Sequence, residues 1–138
     1  MSLDKNNGEI TCFNNGEGIV AEKNSDGQYI VEMIFTKEMS GSNFSNDEEE
    51  KIGANGIGSK ATNIMSSVFS VCTYDEKNKI HYNQTFTDGN SIINPPELKK
   101  GKKADIPYTQ IKFIPDYEYF NYKNRNEIEK IMNIIETL

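Results

Sequence analysis

The chain has 138 residues, with 15 Lys and Arg against 21 Asp and Glu and a formal net charge of −6. That length fits one domain able to bury about two thirds of its unfolded surface. The acidic balance excludes a chain-wide electrostatic clamp on nucleic acid, and no apolar run nears the roughly 18 residues of a membrane span. A soluble, intracellular domain is expected, with no membrane partner.

In chain order, the opening "MSL" matches nothing that follows, and the fold reading begins at residue 4. "GEITCF" alternates weakly and ends at the turn-forming cluster "NNGEG", which predicts a short strand running into a tight loop. "QYIVEMIFTKEM" spaces its apolar residues by three and four, which predicts a helix, although its β-branched residues also suit a buried strand. "SGSNFSNDEEEKIGANG" then runs almost without apolar content, longer than most loops in compact domains, and reads as a functional lid or as disorder. Its "NDEEEK" is a solvated acidic run.

After Gly58, apolar residues at Ala61, Ile64, Met65, Val68 and Phe69 form the stripe of an amphipathic helix. "FSVCTY" and "KIHYNQTF" alternate with period two around "DEKNK", predicting a hairpin in which Ile80, Tyr82 and Phe86 share a face. The proline-rich loop 94–107 carries "KKGKK", a solvated turn or a point of contact with phosphate, and leads to a strand at "TQIKFIP". "NEIEKIMNIIETL" closes the chain as a helix, capped by Asn124 or Asn126, with Glu127 or Glu129 three residues on. Strands and separate helices in this order predict an α+β two-layer sandwich, its helices on one face of a mixed, mostly antiparallel sheet.

Cys12 and Cys72 lie far apart with no ligand spacing and read as two buried thiols. His81 is the one histidine and sits mid-strand, an ordinary strand residue rather than a zinc ligand or triad base.

"GANGIGSKATNI" packs Gly53, Gly56 and Gly58 ahead of a helix. Orphan N–H groups and the helix dipole make such an entry an anion site, and glycines admit a phosphate without Cβ clashes. The plainer reading is a helix entry that needs tight turns. A Walker A loop fails by one residue, since Ser59 separates Gly58 from Lys60. "GIGSKA" matches a dinucleotide fingerprint but follows an acidic loop where that motif needs a buried strand.

Three stretches taken together, "FNNGEGI" (13–19), "SGSNF" (40–44) and "GANGIGSKATNIMSSVF" (53–69), resemble the ATPase domain of type II DNA topoisomerases of the eukaryotic and viral branch. "YNQTFTDGN" and "YTQIKFIPDYEYF" extend the resemblance over nearly the whole chain. It implies the Bergerat (GHKL) ATP-binding fold and a partial ATPase domain over residues 4–138, without the N-terminal catalytic helix or the downstream transducer domain. It also implies ATP-binding roles. Asn14 would read the adenine amine, with Gly16 and Gly18 turning beneath the base. Ser42 and Asn43 would meet ribose and phosphate, and Asn55, Gly56, Ile57, Gly58, Ser59 and Lys60 would form the phosphate loop.

Gly41 and Ala54 depart from the family's usual Ser and Arg, and the loop before Ala54 is one residue short. No residue here matches the general base; Glu17 and Glu22 do not fit its motif. The Mg²⁺ ligand is likewise expected outside the chain. The implied parent is an ATP-dependent strand-passing enzyme, a homodimer acting on duplex DNA in a nucleus, or in cytoplasm or a viral factory. A MutL-like or chaperone-like ATPase, or a non-hydrolysing scaffold of the same fold, are the alternatives.

Overall fold

The computed structural model describes residues 1–36, 58–120, 129, 130, 133, 134 and 137. Among them, seven strands form one sheet: β1 Ser2–Asp4, β2 Glu9–Asn14, β3 Ser66–Asp75, β4 Ile80–Thr87, β5 Ile92–Ile93, β6 Glu97–Lys100 and β7 Tyr108–Pro115. The order is β1-β2-β7-β3-β4-β5, with β6 also on β4, and every pairing is antiparallel. One helix, α1, spans Ile30–Thr36. Residues 58–64 are also helical, as are the described residues from 129 on. The expected α+β class and the α1, β2, β4 and β7 predictions hold.

The period-two pattern of the central hairpin fixes which side is buried. Phe69, Val71, Tyr82 and Phe86 point to one face and meet Val31 and Phe35 of α1, with Ala21 completing the cluster. Phe69 is its centre, with ring centroids 5.5 Å from Phe35, 6.1 Å from Phe86 and 6.5 Å from Phe113. Gln84 shares this face and is buried because its partners are complete. Its Oε1 accepts a hydrogen bond from the Tyr82 hydroxyl, and its Nε2 donates to Glu32 of α1 at 2.6 Å and to the Asn94 carbonyl at 2.9 Å. Burial, then Glu32 and Tyr29, push the Tyr82 hydroxyl well above its ordinary pKa, so it stays a donor.

Several expectations are corrected. The opening residues belong to the fold, because Leu3 pairs opposite Ile10 in β1. The helix after Gly58 does not reach Phe69; it ends at 64, and Ser66 begins β3. Its apolar stripe is not the buried side, for Ile64 is 55% exposed and Met65 42%, whereas Asn63 is 1% exposed. Tertiary contact overrides the period here: Asn63 donates to the Phe35 carbonyl at 3.0 Å, while β-branched and aromatic residues from Val68 on favour the sheet. The 94–107 loop holds β6, so Lys99 and Lys100 lie in a strand, and both cysteines are free but only partly buried. Pro95 and Pro96 lack ladder donors, which explains why β4's outer neighbour is broken into β5 and β6. The lid reading of 40–56, the acidic run at 46–51 and the proposed caps at 124–127 fall outside the described residues.

The β3–β4 turn closes on a buried carboxylate. Asp75 is 3% exposed and accepts from the Ala21 N–H at 2.8 Å, the Asn78 amide at 2.7 Å and the Asn78 N–H at 3.1 Å. Desolvation pushes its carboxyl up, but these bonds and one from the Lys77 N–H outweigh it and leave it below the ordinary 3.8. A depressed folded pKa contributes stability above the unfolded value and loses it as pH falls through the folded one. Asp75→Asn is therefore expected to cost about 1 to 3 kcal/mol at pH 7. Urea melts of both proteins from pH 7 to pH 3 should show the gap narrowing below about pH 4.

Candidate nucleotide site

Leaving β2 at Asn14, the chain turns and lies as a strap across the end of β3. Asn14 Oδ1 accepts the Gly16 N–H at 2.6 Å, an Asx turn that also fixes which way the amide faces. At Gly18 the strap touches the sheet backbone: a Cβ there would stand 1.8 Å from the Tyr74 carbonyl oxygen. Only glycine fits. The next two bonds seal the strap, from the Ile19 N–H to Thr73 Oγ1 at 2.8 Å and from the Ala21 N–H to Asp75.

Strand register then gathers a polar row on the helix-facing side. Asn14 pairs opposite Thr109, Thr109 opposite Thr73 and Thr73 opposite Tyr82. Thr73, fully buried, donates its one proton to the Tyr108 carbonyl at 2.9 Å and accepts from Ile19, so its 3.1 Å contact with Thr109 uses the Thr109 proton. Asn14 is exposed at the open end of this row. Thr73 and Thr109 carry no role in the sequence reading; "YTQIKF" is a strand there, and only pairing shows which residue faces Asn14.

The other residues separate into two groups. Gly58, Ser59 and Lys60 lie in the helical segment 58–64, where Thr62 Oγ1 donates to the Gly58 carbonyl at 2.8 Å and space beside Gly58 is open. Asn63 fastens that segment to α1 through Phe35. Ser42, Asn43, Asn55, Gly56 and Ile57 lie outside the described residues. The arrangement thus shows one polar row under a glycine strap and a lysine-bearing helical turn fastened to the neighbouring helix. Of the two tempting carboxylates, Glu22 is engaged with Asn78 at 2.8 Å and Lys77 at 3.6 Å.

No family model matches the chain. DNA topoisomerase 2 of Penicillium chrysogenum is 36% identical over 123 residues, 87% of this chain and 8% of that protein. The mitochondrial DNA topoisomerase 2 of Dictyostelium discoideum is 36% identical over 127 residues, 90% of this chain and 10% of that one. The DNA topoisomerase 2 of Acanthamoeba polyphaga mimivirus is 34% identical over 125 residues, 89% of this chain and 10% of its own length. The chain belongs to the type II DNA topoisomerase family.

Solved structures place it within the ATPase region of that family. The ATPase region of Saccharomyces cerevisiae topoisomerase II matches with a TM-score of 0.79 and 34% identity over 95% of this chain and 35% of that one. The ATPase and transducer domains of Balamuthia mandrillaris topoisomerase II match at 0.74 and 34% over 84% of this chain and 31% of that one. The gyrase B ATPase domain of Thermus thermophilus, at 22% identity and a TM-score of 0.64, shares the fold. This topoisomerase-family chain spans about a tenth of the curated relatives it matches.

The two strap glycines make opposite predictions. Gly18→Ala must lift the strap off β3 and is expected to cost about 2 to 3 kcal/mol. At Gly16 a Cβ would meet only the Asn14 side-chain oxygen, at 2.8 Å, which can swing aside. Gly16→Ala should therefore melt within a few degrees of the parent, about 1 kcal/mol or less. Thermal melts of the two variants check the contrast.

Proposed function

We propose that this chain holds ATP as part of a longer topoisomerase, with the base on the Asn14 row and the phosphates near Lys60. The observation that carries the reading is the register row Asn14–Thr109–Thr73 beneath a strap that only Gly18 allows. Because Asn14 Oδ1 already accepts the Gly16 N–H, its remaining lone pair faces outward as an acceptor for an exocyclic amine. Thr109, its proton committed to Thr73, presents acceptor lone pairs beside it. Two neighbouring acceptors fit the N–H donors of an aminopurine's exocyclic amine.

Gly16 keeps the approach bare, and Lys60 brings a cation toward the triphosphate. Ser42, Asn43, Asn55, Gly56, Ile57, Gly58 and Ser59 complete the site in this reading, as ribose and phosphate contacts carried over from the family resemblance. Among the described residues no three His, Cys, Asp or Glu side chains converge as a metal site. The Mg²⁺ ligand and the general base are assigned to segments outside residues 4–138, and no step is derived through the ion here. The triphosphate supplies the free energy of hydrolysis; this chain's residues bind and orient it.

For the parent we propose gate closure by a homodimer on ATP binding, passage of one duplex DNA through another, and reopening after hydrolysis. An intracellular location follows from that substrate. No described helix is long and apolar enough to cross a membrane.

The test is a calorimetric titration of AMPPNP with Mg²⁺ into the chain carrying its upstream parent segment. Saturable binding is expected, weakened about ten- to a hundredfold by Lys60→Ala through loss of one charge-assisted contact, and weakened by Gly16→Ala at unchanged stability. A folded protein that binds no nucleotide would leave the non-hydrolysing scaffold reading in its place. The 138-residue chain alone is expected to show no ATP turnover; turnover abolished by Lys60→Ala would refute that.

A further inference from the structure

Five exposed lysines lie along the outer edge of the sheet: Lys99 and Lys100 in β6, facing opposite sides, and Lys79, Lys102 and Lys103 in the turn and loop beside it. The β4–β6 register sets Lys100 opposite Ile80 and Lys99 opposite His81, and the Gly101 N–H donates to the Lys79 carbonyl at 2.8 Å. Among the described residues none of the five has a carboxylate within ion-pair distance. Of the acids nearby, Glu76 and Glu97 are exposed, Asp75 is buried in its turn, and Asp105 is taken up by His81 at 2.7 Å and the Lys102 N–H at 2.7 Å.

An edge strand needs a charge or two to refuse a neighbouring strand. That accounts for Lys99 and Lys100. It does not account for Lys102 and Lys103, which lie beyond the strand, nor for the fastening of their loop. Tyr74 donates its hydroxyl to the Lys102 carbonyl at 3.3 Å. Gly101 lies so close over the Tyr74 ring that a Cβ would stand 2.3 Å from its Cε2. His81 stacks against that ring, with centroids 4.4 Å apart, and holds Asp105, which accepts from the Lys102 N–H in turn. A merely solvated turn requires none of this. The fastening fixes the backbone that presents the lysines, so less ordering entropy is lost when they meet a ligand.

We propose that this lysine edge docks on the phosphate backbone of duplex DNA. Lysines are point charges that read phosphate without reading bases. Tyr74 is buried and His81 half-buried beneath the loop, so neither of these two rings lies open for an unpaired base to stack on. The remaining surface belongs to a chain of net charge −6, which confines a polyanion to this edge. The choice of duplex DNA among polyanions rests on the topoisomerase reading above; the existence of the cation array does not.

The experiment measures anisotropy of a short fluorescein-labelled duplex against the full chain over a salt series. It compares the parent with Lys99→Gln/Lys102→Gln/Lys103→Gln, both checked for an unchanged melting temperature. Four or five phosphate contacts give a slope of log K against log salt of about −4, and the triple substitution is expected to bring it to between about −1 and −2. Affinity at low salt should fall more than tenfold, while AMPPNP binding stays as it was. Absence of DNA binding in the folded parent, or an unchanged slope in the variant, overturns the proposal. Polyglutamate displacing the chain as well as duplex competitor does so too, by assigning the edge to an acidic protein. Failure of the nucleotide reading has a separate signature: AMPPNP binding is absent while lysine-dependent DNA binding persists.

Discussion

The contact of Gly18 with the β3 backbone is the constraint on which the site depends. A strap at van der Waals distance from a sheet carbonyl cannot satisfy its own N–H groups by ordinary pairing, so side chains of the sheet must receive them. Thr73 and Asp75 do so, two residues apart on one face of β3. Each is buried as a consequence, and each carries a second duty. Thr73 joins the strap to β7 through the Tyr108 carbonyl and the Thr109 hydroxyl, while Asp75 joins it to the β3–β4 turn through Asn78. Strap, turn and central strands are thus one polar unit, standing at the end of an apolar core centred on Phe69.

The polar unit and the apolar core meet through α1. Its apolar side, Val31 and Phe35, packs on the sheet, and Glu32 reaches Gln84 between them. Asn63 donates to the last described turn of α1 at Phe35 and so couples the lysine-bearing helical segment to the same layer. Position therefore passes to the two halves of the candidate site through single polar side chains, Thr73 and Asp75 at the strap and Asn63 at the helical segment, whose geometry is directional where apolar packing is not.

Legibility in the sequence followed period and chemistry. The strands at Glu9–Asn14, Ile80–Thr87 and Tyr108–Pro115 were readable because alternation and turn residues agreed. The boundary at Ser66 was hidden because Ala61, Ile64, Met65, Val68 and Phe69 satisfy a helical spacing by coincidence, while the residue that anchors the helix is the polar Asn63. Nor could β5 and β6 be seen, since two and four residues of edge strand beside a Pro-Pro pair carry almost no period. In the site, Asn14, Gly16 and Gly18 could be named only through the family resemblance of "FNNGEGI"; read by itself the stretch was a turn, and the close approach at Gly18 emerges only from the fold. Thr73 and Thr109 were invisible because their meaning lies in a cross-strand register between segments far apart in sequence.

The broken outer edge has a consequence for how the molecule behaves in company. A sheet side with unpaired N–H and C=O groups invites another chain to add a strand, and aggregation begins that way. Here β4 is already covered, by two residues at one end and four at the other, with Pro95 and Pro96 between them unable to donate. At the opposite side the sheet ends in three residues of β1. Among the described residues neither margin offers a long, regular ladder, so the fold is protected against edge-to-edge polymerisation.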